Sequence, residues 1–163
     1  MAVDMFLKFE GDIFKGESRD KTHAQEIDIL AWSWGVSNSG TAHMGGGAGA
    51  GKANVQDLSV TKYVDASSAA LLLACCTGTH IPTATLVVRK AGGTPVEYIK
   101  ITLTECLITA VSTGGSGGED RLTENVTINF AKIKFEYVEQ DATGKPKTPA
   151  KTMTFDIAQN VKE

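Results

Sequence analysis

Histidine and cysteine are both rare, three of each in 163 residues, and no C-x-x-C pair occurs. His23, His43 and His80 stand apart along the chain. Local spacing therefore assembles no zinc-type ligand set, and neither a metal nor another cofactor is expected. The odd number of cysteines includes the adjacent Cys75 and Cys76 inside an apolar run, and all three, with Cys106, read as reduced packing residues. An excess of positive charge is missing as well. The formal net charge is -3 with the basic residues scattered, which excludes the electrostatic footprint of a nucleic-acid binder. Met1 to Glu10 carries Asp4, Lys8 and Glu10 and no long apolar run. Neither a secretory signal nor a membrane span is expected there, and the protein is expected to start in the cytoplasm.

What the chain does have is apolar material in the proportion of a folded protein, 42% hydrophobic against 21% charged, in a length that suits one domain spanning residues 1–163. Its dominant pattern is alternation with period two in runs of Val, Ile, Thr and aromatics, which predicts a mainly all-β domain. The expected strands are Val3 to Phe9, Ile27 to Ser37, Val55 to Val64, Thr83 to Lys90, Val96 to Val111, Arg121 to Glu139 and Thr152 to Ile157. In the run from Arg121, the apolar residues Leu122, Val126, Ile128 and Phe130 hold even positions, whereas Ile133, Phe135 and Tyr137 hold odd ones. Keeping both sets inward calls for one inserted residue, a β-bulge between Phe130 and Ile133. One helix is expected over Ala66 to Thr77, with Asp65, Ser67 or Ser68 as cap candidates and Gly78 as the stop. Leu71 to Cys76 make it apolar nearly all round, so cover on most sides is expected.

Two glycine tracts imitate catalytic motifs. Gly46 to Lys52 spells G-x-x-x-x-G-K, but Ala53 stands where a magnesium-binding hydroxyl belongs, no apolar strand leads in, and a strand pattern follows, so the tract reads as a flexible loop. Gly114 to Gly118 satisfies G-x-S-x-G, yet strand pattern follows it and no histidine lies beyond His80 to complete a triad, which leaves a glycine turn between strands. Glu119 and Asp120 beside that turn are expected to be exposed and solvated. Asn125 to Thr127 forms an N-glycosylation triplet by chance within a strand. The first tract lies in a long connection, Asn38 to Lys52, expected to lack secondary structure of its own and to be a place of partner contact.

The run Ile27 to Ser37 separates two faces. Leu30, Trp32, Trp34 and Val36 would face the core, while Ala31, Ser33, Gly35 and Ser37 would present a small, uncharged surface. Such a surface suits the close approach of another chain or the wall of a channel as well as an ordinary solvated face.

Three strings then stand out together: LAWSWG at Leu30 to Gly35, HMGGGAGAGKANVQDLSVTKYVD at His43 to Asp65, and VSTGGSGGEDRLTENVTINF at Val111 to Phe130. With the opening MAVDMFLKFEGDIFKGES they resemble the Hcp family of type VI secretion proteins over nearly the whole chain, departing most after Glu139. The resemblance implies a small β-barrel with one flanking helix that assembles as a hexameric ring, and rings that stack into a hollow tube expelled by a contractile sheath. It implies a structural role without enzymatic activity. The implied partners are further copies of the chain, a VgrG-like spike protein, the sheath and small effector proteins carried in the lumen, with no nucleic acid and no membrane insertion. Secretion or delivery into target cells would then need no signal peptide. On the ring architecture, Ala31, Ser33 and Gly35 would face the lumen and its cargo. His43, Met44, Gly45, Gly46, Gly47, Gly49, Gly51 and Lys52 would form the loop that reaches a neighbouring subunit or ring. The competing readings are a small barrel enzyme or lipid binder, which predicts a monomer with a deep pocket, a fimbrial subunit, which needs a secretory signal, and an Hcp protein carrying its own toxin domain, which needs a carboxy-terminal extension.

Overall fold

A computed structural model of the chain describes residues 2–40, 42, 43, 50–92 and 94–163. The alternating runs form strands β1 (Val3–Phe9), β2 (Ile27–Ser33), β3 (Val36–Gly40), β4 (Ala50–Val55), β5 (Leu58–Tyr63), β6 (Ile81–Lys90), β7 (Val96–Thr113), β8 (Thr123–Tyr137), β9 (Lys151–Asp156) and β10 (Val161–Lys162), with helix α1 (Ser68–Thr77) between β5 and β6. In the main sheet β8, β5, β2, β1, β6 and β7 follow one another, and a further β7–β8 pairing closes them into a six-stranded barrel; β9 and β10 extend from β8. Every pairing is antiparallel. Closure leaves the six barrel strands without a free edge, so that open edges remain on β10 and on the β3–β4 pair.

Inward-facing Leu7, Ile27, Leu58, Val60, Leu86, Ile101, Leu103, Val126, Ile128 and Ile133 form one apolar cluster inside the barrel, and Leu71 and Ala74 join it from α1. Two sequence expectations are corrected here. The run Ile27 to Ser37 breaks after Ser33, and a register shift between Ile29 and Ala31 sets Leu30 apart. Ile27 and Ile29 face the core before the shift and Trp32 pack against it after, while Leu30 and Val36 stay exposed at 40% and 46%. The second correction concerns β8. Its buried face does switch between Phe130 and Ile133, but the ladder with β7 runs without a shift from Ile99↔Tyr137 to Ile108↔Ile128, so no inserted residue compensates.

Instead, three neighbouring strands switch together. Ile81 pairs with Cys106 and Cys106 with Phe130, all buried; on the other side Ala84 pairs with Leu103 and Leu103 with Ile133, again all buried. Between these rows the sheet is creased, and Glu105, opposite Ala131, takes a positive φ of 56°. At the same point β8 exchanges neighbours, from β5 over Thr123–Ile128 to β9 over Lys132–Tyr137. The crease lets the two longest strands contribute to two differently oriented parts of the barrel wall.

Helix α1 ends where expected, with Gly78 left-handed (φ 64°) and its N–H donated to the Ala74 carbonyl. At the start Asp65 Oδ1 accepts from the Ser67 amide at 2.9 Å, and Ser68 Oγ accepts from the Asp65 amide at 2.9 Å. The helix is less covered than its composition suggests: Leu71 and Ala74 are buried, but Leu72 and Leu73 remain 39% and 62% exposed. The cysteines divide likewise, Cys106 being buried, Cys75 half-buried and Cys76 exposed.

Candidate functional site

The outside of the barrel presents two walls of different chemistry. On one, β2, β5, β8 and the far half of β7 align their outward residues in rows: Ala31, Thr61, Asn125 and Ser112 form one, and Ser33, Ser59, Thr127 and Ala110 the next. All eight are exposed or half-buried, and none carries charge. Thr61 Oγ1 donates to Asn125 Oδ1 at 2.7 Å. Charges appear only at the margins: Asp57 accepts from Asn129 Nδ2 and Thr109 Oγ1, and the Arg121 guanidinium lies 3.7 Å from the Tyr63 ring centroid. A wall of small hydroxyl, amide and methyl groups costs less to strip of water than a charged one and admits close approach without choosing a partner by charge.

Ala31 and Ser33, expected to face a channel, both lie on this wall. Gly35 does not: it sits in the link between β2 and β3, where its carbonyl accepts from the Gln56 amide at 2.9 Å. The connection expected to lack secondary structure carries a hairpin at its base, since β3 and β4 pair as a separate two-stranded sheet outside the barrel. Gly51 belongs to β4; a Cβ there would come within 2.2 Å of Ser39 Oγ and 3.1 Å of the Ser39 carbonyl oxygen, so a larger residue would have to turn the Ser39 hydroxyl aside. Lys52 and His43 are exposed, His43 in a turn. Met44, Gly45, Gly46, Gly47 and Gly49 lie outside the described residues. Strand β4, not a helix, follows the G-x-x-x-x-G-K string, and the segment around Ser116 is an exposed turn closed by the Glu119 amide on the Ser116 carbonyl. Glu119 and Asp120 are exposed, as expected.

On the opposite wall the outward residues are charged and hydroxylic, including the row Lys8, Thr85, Thr102, Lys134 and Thr154 across β1, β6, β7, β8 and β9. Here His23, isolated in sequence, is not isolated in space: its two ring nitrogens meet Glu26 Oε2 at 2.8 Å and Glu97 Oε1 at 2.6 Å.

A second charged cluster lies inside the barrel. Lys62 and Glu124 are cross-strand neighbours on β5 and β8, 0% and 1% exposed, and are joined by an ion pair. Lys62 Nζ also reaches Asp65 Oδ1 at 3.0 Å and Ser68 Oγ at 3.2 Å, and Ser68 Oγ lies 2.6 Å from Glu124 Oε1. The cluster thus ties the start of α1 to the barrel lining. Sequence reading passed over it although a signal existed: Lys62 continues the inward row of Leu58 and Val60, and Glu124 that of Val126 and Ile128. Burial also pushes the Cys106 thiol up to about 12, leaving it protonated and inert.

A closed barrel with a neutral wall on one side, a charged wall on the other and a separate two-stranded hairpin outside it suits a repeating unit of a hollow assembly, the class of the secretion-tube proteins. A family model described as "Type VI secretion system effector, Hcp" matches residues 6–137. The chain is 61% identical over 162 residues to protein hcp1 of Pseudomonas aeruginosa, covering 99% of both. Its fold is similar to the crystal structure of Hcp1 from Salmonella typhimurium, with a TM-score of 0.81 and 38% identity over all of both chains. It is also similar to a type six secretion system protein, with a TM-score of 0.92 and 30% identity over 99% of this chain and 100% of that one. The chain belongs to the Hcp family: it is a secreted structural protein of type VI secretion and a subunit of its tube. Hexameric ring assembly is known for Hcp proteins. Among the described residues no helix is long and apolar enough to cross a membrane.

Proposed function

We propose that this chain, a single domain over residues 1–163, acts without enzymatic activity by closing into six-membered rings that stack into a hollow tube, with the neutral wall of β2, β5, β7 and β8 turned toward the lumen. Ala31 and Ser33 then face cargo, and Gly35 shapes the rim. The observation that carries this orientation is the two adjoining rows of four uncharged outward residues. A lumen that must accept different small effector proteins, and release them, is served by a surface whose contacts are weak and unselective. The opposite, charged wall is left to meet the enclosing contractile sheath.

The β3–β4 hairpin, with His43, Gly51 and Lys52 in and beside it and Met44 to Gly49 in its connection, reaches the neighbouring subunit or ring. A heterologous contact repeated through a fixed rotation closes a ring, and individually weak contacts become stable when multiplied around it. The remaining partners are a VgrG-like spike and effector proteins, and the protein waits in the cytoplasm until the sheath fires. Native mass measurement with electron microscopy of the purified protein tests this reading: annular six-subunit particles with end-to-end stacks are expected, and a monomer at high concentration would overturn it.

A further inference from the structure

The outward face of β1 and β6 carries two large apolar residues, Phe6 and Val87, that are paired across the ladder and yet only 4% and 5% exposed. Neither points into the barrel, where Leu7 and Leu86 from the same strands sit. Segment 15–26, between the 3-10 turn (Asp12–Phe14) and β2, meets this face: the His23 imidazole stacks on the Phe6 ring with centroids 4.5 Å apart and planes 13° from parallel. The segment is a narrow strap. The Gly16 amide donates to the Gln25 carbonyl at 2.8 Å, Ser18 to Glu26 at 3.0 Å and Gln25 to Ser18 at 2.8 Å. A Cβ on Gly16 would come within 2.6 Å of the Glu26 carbonyl oxygen, so the strap folds this tightly only with glycine there.

Its fastening to the barrel is ionic. Arg89 on β6 holds Asp20 through two contacts, 2.6 Å and 3.1 Å, and reaches Asp4 on β1 at 3.1 Å; that guanidinium, with two strap amides, keeps the Asp20 carboxyl down at about 2. His23 supplies the other fastening, bridging Glu26 of the strap to Glu97 of β7. The charged groups around it are Asp4 and Lys8 on β1, Asp20, Lys21 and Glu26 on the strap, Arg89 on β6, and Glu97 and Lys100 on β7. Nearest the ring are the carboxylates, and a protonated imidazole donates to two of them at once.

We propose that segment 15–26 is a pH-gated cover over Phe6 and Val87, with His23 as its clasp. Burial works against the charge on His23, but the hydrogen bonds and charges of Glu97 and Glu26 outweigh it and the pKa is raised above 6.5. The direction follows: stabilisation by the clasp is complete below the unfolded-state value and is lost as pH rises through the higher folded-state value. Below the folded-state value the strap is fastened. As pH rises through that value the neutral imidazole can donate to only one of the two carboxylates, the strap loosens, and the charged wall gains an apolar patch. The clasp sits on the charged wall whichever wall faces the lumen.

Amide hydrogen exchange on the full-length protein, corrected for intrinsic rates between about pH 6 and 9, tests it. Protection of the Ser18 and Gln25 amides should fall about threefold to tenfold across that range, while the Leu7 and Ile101 amides of the barrel hold theirs. Hydroxyl-radical labelling of Phe6 should rise in the same window. Because Glu97 is partly exposed at the surface, Glu97→Gln should leave the fold intact and move both transitions, together with the His23 NMR titration, to lower pH. Flat protection in the native protein, unchanged Phe6 labelling, or a Glu97→Gln midpoint equal to the native one would each overturn the proposal.

Discussion

Replacing Lys62 by methionine keeps an unbranched apolar stem, one atom shorter, and removes the ammonium with its charge and donors, which makes Lys62→Met the sharpest probe of the interior cluster. Glu124 would then keep the Ser68 hydroxyl as its remaining partner at 2.6 Å, with Oε2 already lacking one, at a site 1% exposed. Stranding a buried charge in this way costs about 3–5 kcal/mol. In a domain of this length each kcal/mol is worth about 2–4 °C, so a fall in Tm of about 6–20 °C is expected. Asp65 is spared, because Ser67 satisfies it through both its amide and its hydroxyl, at 2.9 Å and 2.5 Å. The double variant Lys62→Met/Glu124→Leu removes both charges and should return to within about 1 kcal/mol of the native protein. Urea unfolding of the native protein, Lys62→Met, Glu124→Leu and the double variant at one fixed concentration gives the cycle, the concentration being held because self-association adds to apparent stability. A loss below about 1 kcal/mol in Lys62→Met would refute the reasoning, since it would mean that Glu124 finds solvent.

Ser33→Arg places a long cation on the neutral wall; thermal unfolding should be unchanged and co-purification of effector proteins should drop, whereas undiminished cargo would refute the lumen placement. Deleting residues 46–50 should weaken stacking of rings seen by electron microscopy and leave the circular dichroism of the monomer unaltered. A thiol reagent such as Ellman's should modify exposed Cys76 within the native protein and reach Cys106 only on unfolding, because burial holds that thiol protonated up to about pH 12; equal rates for the two would contradict the packing described.

Where side-chain parity settles the matter, the sequence was readable. β1 runs Val3–Phe9 as expected, and the helix stops at Gly78. The change of parity in β8 was visible too, but its physical origin was not. A single strand shows only that its face turns over; that β6 and β7 turn over beside it, with Glu105 left-handed opposite Ala131, depends on pairings between distant segments. The same limit hid the Lys62–Glu124 pair, whose members lie 62 residues apart, and His23–Glu97, 74 residues apart. The shift within β2 moved Leu30 from core to surface and the break after Ser33 carried Val36 into the separate hairpin, while Ala31 and Ser33 stayed where alternation put them.

The crease across β6, β7 and β8 also restricts how such a chain can vary. An insertion or deletion of one residue in β7 on either side of Glu105 would turn Ile101 and Leu103 outward, or Cys106 and Ile108, and would do so against two partner strands at once. Length changes in this protein are therefore expected to collect in hairpin tips and termini, while the two longest strands keep their residue count even where their side chains drift.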